Sequence, residues 1–270
     1  MSDRSAIEWT DASWNPIRAR NRATGRLGWH CVHKSDGCRN CYAESFNLRL
    51  GTKLPYKPGH VPEDVEILLD PDMLLLPLKW KRPRRIFVGS MTDLFADFVT
   101  DEMLDRVFAV MALASQHSFQ LLTKRPDRMR AYLAAAHRDV AWVLAALEVV
   151  DGYADSQQSI IAAGFPLPNV WLGTSVEDQA AADERREDFR AVPAAVKFVS
   201  YEPALEPVDW SGWEFVQQII SGGESGPRAR PSHPDWHRDT RDFCAAHGIA
   251  FFFKQWVNGG LRGRSRLAPW

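Results

Sequence analysis

The chain is short of cysteine, of net charge and of long apolar runs. Four cysteines in 270 residues cannot staple a disulfide scaffold, and three of them fall between Cys31 and Cys41, which points to a reduced compartment and a metal or cofactor site. With 33 Lys and Arg against 34 Asp and Glu, a uniformly basic nucleic-acid coat is excluded, although a local basic face is not. No apolar run approaches the ~20 residues needed to span a bilayer. Met1 to Asp11 carries Asp3, Arg4, Glu8 and Asp11 and has no apolar core, so it does not read as a signal peptide. A cytoplasmic protein with no membrane partner is expected. Repeats and low-complexity tracts are also absent. Hydrophobic residues at 45% and charged residues at 25% suit a globular chain and exclude disorder, collagen-like repeats and coiled coil.

Short β-rich runs do recur. They begin near Ser13 to Ile17 and continue at Ile86-Phe87-Val88, Phe119 to Lys124, Val170 to Ser175, Val196 to Glu202, Val216 to Ser221 and Ala250 to Lys254. Most are continuous rather than alternating, as in parallel strands covered on both faces. Helical segments lie between them: Thr100 to Ser115 with a Thr cap and Asp101/Glu102 in its first turn, an Ala-rich Asp127 to Glu148, and a charged Glu177 to Phe189. About seven strands alternating with helices predict an α/β fold, a full or partial (β/α) TIM-like barrel with mainly parallel strands. The length suits one large domain or two small ones. It is read here as a single barrel domain over 1–270, with a cysteine-motif loop at about 28–45 and a helical insertion at about 126–168. Gln157 to Pro168 reads as a short helix plus loop.

In such barrels the strand C-terminal ends carry the site. Here those ends supply Ser90, Thr92 and Asp93, then Lys124, then Ser175 and Glu177, then Glu202, then Gly222-Gly223-Glu224, and finally Lys254. Turns also favour Ser, Thr, Asp and Gly. Lys124, Glu202, Glu224 and Lys254 are harder to explain as turn chemistry, and Lys124, Glu202 and Lys254 are the catalytic candidates. Glu202 and Lys254 could equally pair with each other as barrel structure. Arg228, following the Gly-Gly-Glu turn, could join backbone N–H groups around a carboxylate or phosphate.

The central feature is Cys31-Val32-His33-Lys34-Ser35-Asp36-Gly37-Cys38-Arg39-Asn40-Cys41-Tyr42-Ala43-Glu44. Two cysteines separated by two residues can chelate one metal or two irons, and the third completes a three-thiolate face. A structural zinc site would need a fourth ligand, His33 or His30. A [4Fe–4S] cluster held by three thiolates keeps one iron open for a substrate or cofactor. Cys244, in Phe243-Cys244-Ala245-Ala246, reads as a buried small residue.

Ser13-Trp14-Asn15-Pro16, the cysteine segment, Gly89 to Phe95, Leu122 to Pro126, Trp171 to Glu177, Ser221 to Gly226 and Phe252 to Trp256 together resemble the phage Gp37/Gp68 family, a family otherwise of unknown function. That family in turn looks like a divergent branch of the radical S-adenosylmethionine enzymes. The resemblance implies a partial barrel and a [4Fe–4S] cluster on Cys31, Cys38 and Cys41. S-adenosylmethionine would chelate the open iron, and an external electron donor would drive its cleavage to a 5′-deoxyadenosyl radical. Tyr42, Ser90, Thr92, Asp93, Ser175, Glu177, Gly222, Gly223, Glu224 and Arg228 become cofactor-binding candidates. The chain departs from the usual pattern in three places. Six residues rather than three separate the first two cysteines, Asn40 replaces an aromatic residue before the third, and no Gly-Gly-Glu follows the second barrel strand. Asp93 becomes the replacement acceptor for the methionine amino group.

Residues 1 to 60 hold ten Lys/Arg against five acids, and Lys79, Lys81, Arg82, Arg84 and Arg85 form a further basic run. Such charge could meet phosphates, and Trp9, Trp14, Trp29 and Trp80 could stack on bases. A nucleotide or nucleic acid is the expected partner. Three readings follow: a radical enzyme, a zinc-stabilised nucleic-acid-binding protein, or a degenerate barrel that keeps a cluster only to bind.

Overall fold

The structure is a computed structural model that describes residues 7–56, 62–149, 160 and 164–256. Strand β1 (Ala12–Trp14) is followed by β2 (Ile17–Asn21), β3 (Leu27–Gly28) and β4 (Val65–Leu69), then by β5 (Arg85–Val88), β6 (Ser118–Thr123), β7 (Val170–Ser175), β8 (Val196–Tyr201), β9 (Gln218–Gly222) and β10 (Ala250–Gln255). Seven of them form one curled, all-parallel sheet in the order β1-β5-β6-β7-β8-β9-β10, whose outer strands do not pair. It is a half-barrel flanked by helices, the partial form of the predicted TIM-like barrel. The antiparallel trio β3-β2-β4 was not expected. The first barrel strand also ends earlier than predicted: Pro16 has no N–H for the ladder, and the chain turns there into β2.

The helices are α1 (Tyr42–Leu50), α2 (Pro71–Leu74), α3 (Leu76–Lys79), α4 (Asp101–Leu113), α5 (Pro126–Leu133), α6 (Arg138–Val149), α7 (Gln179–Ala191) and α8 (Pro234–His247). Thr100 caps α4 by accepting from the Met103 N–H, and Asp178 caps α7 through Ala181 N–H at 2.7 Å. Glu177 therefore precedes the helix it was expected to start. The Ala-rich run is two helices rather than one. His137 adopts φ 60° between them, and Arg138 turns back to donate to the Tyr132 carbonyl and to Asp105. Half of the Gln157 to Pro168 stretch, expected as a short helix plus loop, lies outside the described residues. No helix links β8 to β9. Trp210 and Trp213, both buried in the main core, cover the sheet there instead.

Alternation along the strands separates two layers. Ile86, Val88, Phe119, Leu121, Val170, Leu172, Val199 and Ile219 join Leu104, Val107 and Phe108 of α4 in the main core beneath the helices. The opposite, concave side carries Phe87, Phe198 and Ile220 packed with Trp9. A Cβ on Gly173 would lie 2.4 Å from the Phe198 ring. The missing side chain thus lets that ring lie over its register partner on β7 and pack with Trp9. Trp9 and Trp14 belong to these cores, and Trp14 Nε1 donates to the Met73 carbonyl at 2.7 Å. Trp14 is wholly buried and offers no ring for stacking, contrary to expectation, whereas Trp9, though largely buried, borders the cavity described below. Cys244 is buried in the main core, where burial pushes its thiol up to about 12.

Candidate functional site

Above the Phe198 layer, the C-terminal strand ends ring a cavity of about 410 Å³, within the usual range for small-molecule sites. The cysteine segment lies across it, and Cys31, Cys38 and Cys41 all line its wall. A 3₁₀ turn at Asp36–Cys38 leads to a Cys41 N–H that donates to the Cys38 carbonyl at 3.3 Å, and α1 begins one residue later. Residues three apart in such a turn nearly eclipse, which brings the Cys38 and Cys41 side chains to one side. Among the described residues, no three Cys, His, Asp or Glu side chains are gathered closely enough to hold a metal ion. Burial and the nearby Asp93 carboxylate push the Cys31 thiol up to about 12, and burial raises Cys41 as well.

The loop is strapped to the barrel on several sides. Arg230 reaches Asp36 at 2.6 Å and Glu224 at 2.5 Å. Asn40 donates to Glu224 at 3.0 Å and to the Arg228 carbonyl at 2.9 Å. Tyr42 donates to the Ser90 carbonyl at 2.7 Å, and Lys34 pairs with Glu184 at 2.9 Å. A Cβ on Gly37 would stand 3.1 Å from Lys124 Nζ, so the loop backbone rests directly on that ammonium group.

Ser90, Thr92, Asp93, Lys124, Ser175, Glu202, Glu224, Lys254 and Tyr42 line the cavity with the cysteines. Glu177, Gly222, Gly223 and Arg228 do not. Glu177 is fully buried beneath the wall, where it accepts from Lys124 Nζ at 2.7 Å and from Arg185 at 2.9 Å. Burial by itself would raise its pKa, but the two cations outweigh burial and hold it at about 2. Gly222 and Gly223 run beside β10, and the Gly223 N–H donates to the Gln255 carbonyl at 3.0 Å. Asp93 is already occupied: its carboxylate accepts from Thr123 Oγ1 at 2.7 Å, Lys124 N–H at 3.1 Å and Arg125 at 2.8 Å. Lys254 and Glu202 pair at 2.5 Å, both facing the cavity. The carboxylates of the wall are therefore each matched by a cation.

The wall also contains residues that motif reasoning passed over. Asn15 accepts from the Met91 N–H at 2.9 Å and holds Ser90 at 3.0 Å, which explains its place in Ser13-Trp14-Asn15-Pro16. Tyr56, Met91, Ser200 and Gln255 also line the cavity. Met91, Ser200 and Gln255 sit at strand ends where a site is expected, whereas Tyr56 lies outside those ends and only proximity reveals it. On the helix side of β9, Ser221 Oγ and Ser232 Oγ bracket buried His237 at 2.7 and 2.8 Å, and burial pushes that imidazole down to about 4.

His33 is engaged by Glu44 at 3.1 Å, and His30 is buried against Phe98, so neither histidine joins the thiols. Thr92 Oγ1 is buried in the cavity wall without a hydrogen-bond partner among the described residues.

Fold and site define an α/β half-barrel protein with a cysteine loop over its mouth. Over residues 4–265 the chain matches the family described as a protein of unknown function, DUF5131, and it belongs to that family. No curated protein and no solved structure matches it.

Proposed function

We propose that the protein is a radical S-adenosylmethionine-like enzyme, akin to the phage Gp37/Gp68 proteins, with Cys31, Cys38 and Cys41 as the ligands of a [4Fe–4S] cluster at the barrel mouth. The observation that carries this reading is that three thiols of one loop line a single cavity at the strand C-terminal ends. When bound, the group supplies one-electron reductive cleavage of a sulfonium C–S bond, with the electron coming from a low-potential donor protein. The chain's own part is to position and to exclude water. Tyr42, Thr92 and Ser175 offer ring and hydroxyl contacts, and Lys124 and Lys254 offer ammonium groups to an anionic part of the cofactor or substrate. Lys124 suits an anion best, because its partner Glu177 is already shared with Arg185.

Anaerobic reconstitution followed by iron and sulfide analysis tests the assignment, with about four of each expected per chain. Reduction in the presence of S-adenosylmethionine should then release 5′-deoxyadenosine and methionine. Zinc in place of iron would overturn the cluster. Iron without 5′-deoxyadenosine would overturn the enzyme and leave a cluster-binding barrel.

A further inference from the structure

The outer face of the cysteine segment and α1 carries a ladder of rings and guanidinium groups outside the site described above. Arg18 lies 4.7 Å over the Trp29 ring, the Trp29 and Phe46 centroids are 5.9 Å apart, and Arg49 lies 5.6 Å from the Phe46 centroid. Tyr42, Phe46 and Arg49 are spaced i, i+4, i+7 along α1 and share one side of it, a stripe about 10 Å long. Tyr42 lines the cavity, so the stripe starts at the mouth. At its far end β3 meets the helix terminus so closely that a Cβ on Gly28 would touch Thr52 N at 2.3 Å. Arg26, Leu27, Leu50 and Lys53, which flank that contact in the chain, are all exposed.

The charge on this face is one-sided. Arg26, Arg49 and Lys53 are exposed, and no carboxylate pairs with them among the described residues; the Lys53 ammonium donates to the Arg49 carbonyl instead. Of the nearby acids, Glu44 is buried on His33, Glu66 holds Arg20, Asp70 holds Arg18, and Asp36 holds Arg39 and Arg230, while Glu63 and Asp64 stand exposed just before β4. Unmatched cations interleaved with accessible rings suit a polyanion that carries flat groups. Unpaired bases present such faces, whereas duplex bases do not.

We propose that this strip docks single-stranded nucleic acid and leads it along α1 to the cavity. The inference rests on the enzyme reading above and deepens it by naming the class of substrate. Phosphates meet Arg26, Arg49 and Lys53, a base stacks on Phe46, and the next base reaches Tyr42 at the mouth.

Fluorescence anisotropy with labelled 12-nucleotide single-stranded DNA and RNA, titrated with the intact protein, tests it. With three phosphate contacts, binding to one of the two should weaken about 20-fold between 50 and 200 mM salt. Phe46→Ala should weaken it by about 5- to 150-fold with unchanged melting, and Arg49→Ala should lower the salt slope by about 0.7. No binding at 50 mM salt would overturn the proposal. So would tighter binding to duplex, indifference to Phe46→Ala, or preference for a polyglutamate peptide or phosphatidylserine vesicles. Iron content measured on the same preparation separates the two readings. Strand binding without iron overturns the cluster but keeps the strip, and iron without strand binding does the reverse.

Discussion

Glu177→Gln tests how the mouth of the barrel is held. The Glu177 carboxylate is the only anion in hydrogen-bonding reach of both Lys124 and Arg185 among the described residues, and its side chain and that of Arg185 are almost wholly buried. The variant keeps the shape but leaves two cations facing a neutral amide, and stranding a buried charge in this way costs about 3–5 kcal/mol. The proton equilibrium leads to the same range. Holding the carboxyl at about 2 against an ordinary 4.5 corresponds to about 3 kcal/mol of stability. Because the folded-state pKa is depressed, this stabilisation is complete above pH 4.5 and is lost as the pH falls from there through 2. Urea unfolding at pH 7 should therefore place Glu177→Gln about 3–5 kcal/mol below the parent, with a melting temperature on the order of 10 °C lower. Between pH 4.5 and 2 the gap should narrow as the parent loses what the variant never had. Adding Arg185→Met should recover more than half of the loss, since Lys124 can then turn towards the cavity. A variant within about 0.5 kcal/mol of the parent at pH 7, or one with an undiminished gap at pH 2.5, would refute the reasoning.

Two further outcomes test the floor and the straps. Gly173→Ala should destabilise by about 1–3 kcal/mol, because its Cβ must displace the Phe198 ring. Combining it with Phe198→Leu should cost less than the sum of the single changes, and strict additivity in that double-mutant cycle would refute the contact. Arg230→Met should free the cysteine loop by removing its charge-assisted bonds to Asp36 and Glu224. At about 1.5–3 kcal/mol of local stability, amides of residues 31–41 should exchange roughly 10- to 100-fold faster. Exchange that stays at the parent rate would show the loop to be held without Arg230.

The strands were legible in sequence because parallel strands buried on both faces read as uninterrupted apolar runs, as at Val170 to Ser175. The strand-end polar residues were legible because topology alone brings the ends of parallel strands together. The small antiparallel sheet escaped notice because β3 is only two residues long and β2 alternates Arg with Ala and Ile. The broken Ala-rich helix also escaped, since its break comes from Arg138 reaching Asp105 on another helix, a contact that no local pattern records.

What the sequence by itself determined is the class of fold and the set of reactive groups: periodicity and residue chemistry are local properties that survive in one dimension. The tertiary structure decided which of those groups remain free. Asp93, Glu177, Glu202 and Glu224 all looked open at strand ends in sequence, yet the fold pairs Asp93 with Arg125, Glu177 with two cations, Glu202 with Lys254 and Glu224 with Arg230. It also packed Trp9 and Trp14 into cores while leaving Phe46 and Tyr42 accessible. The net charge near zero acquired the same kind of meaning, since balanced charge in the chain becomes unbalanced on one face once the acids have chosen their partners.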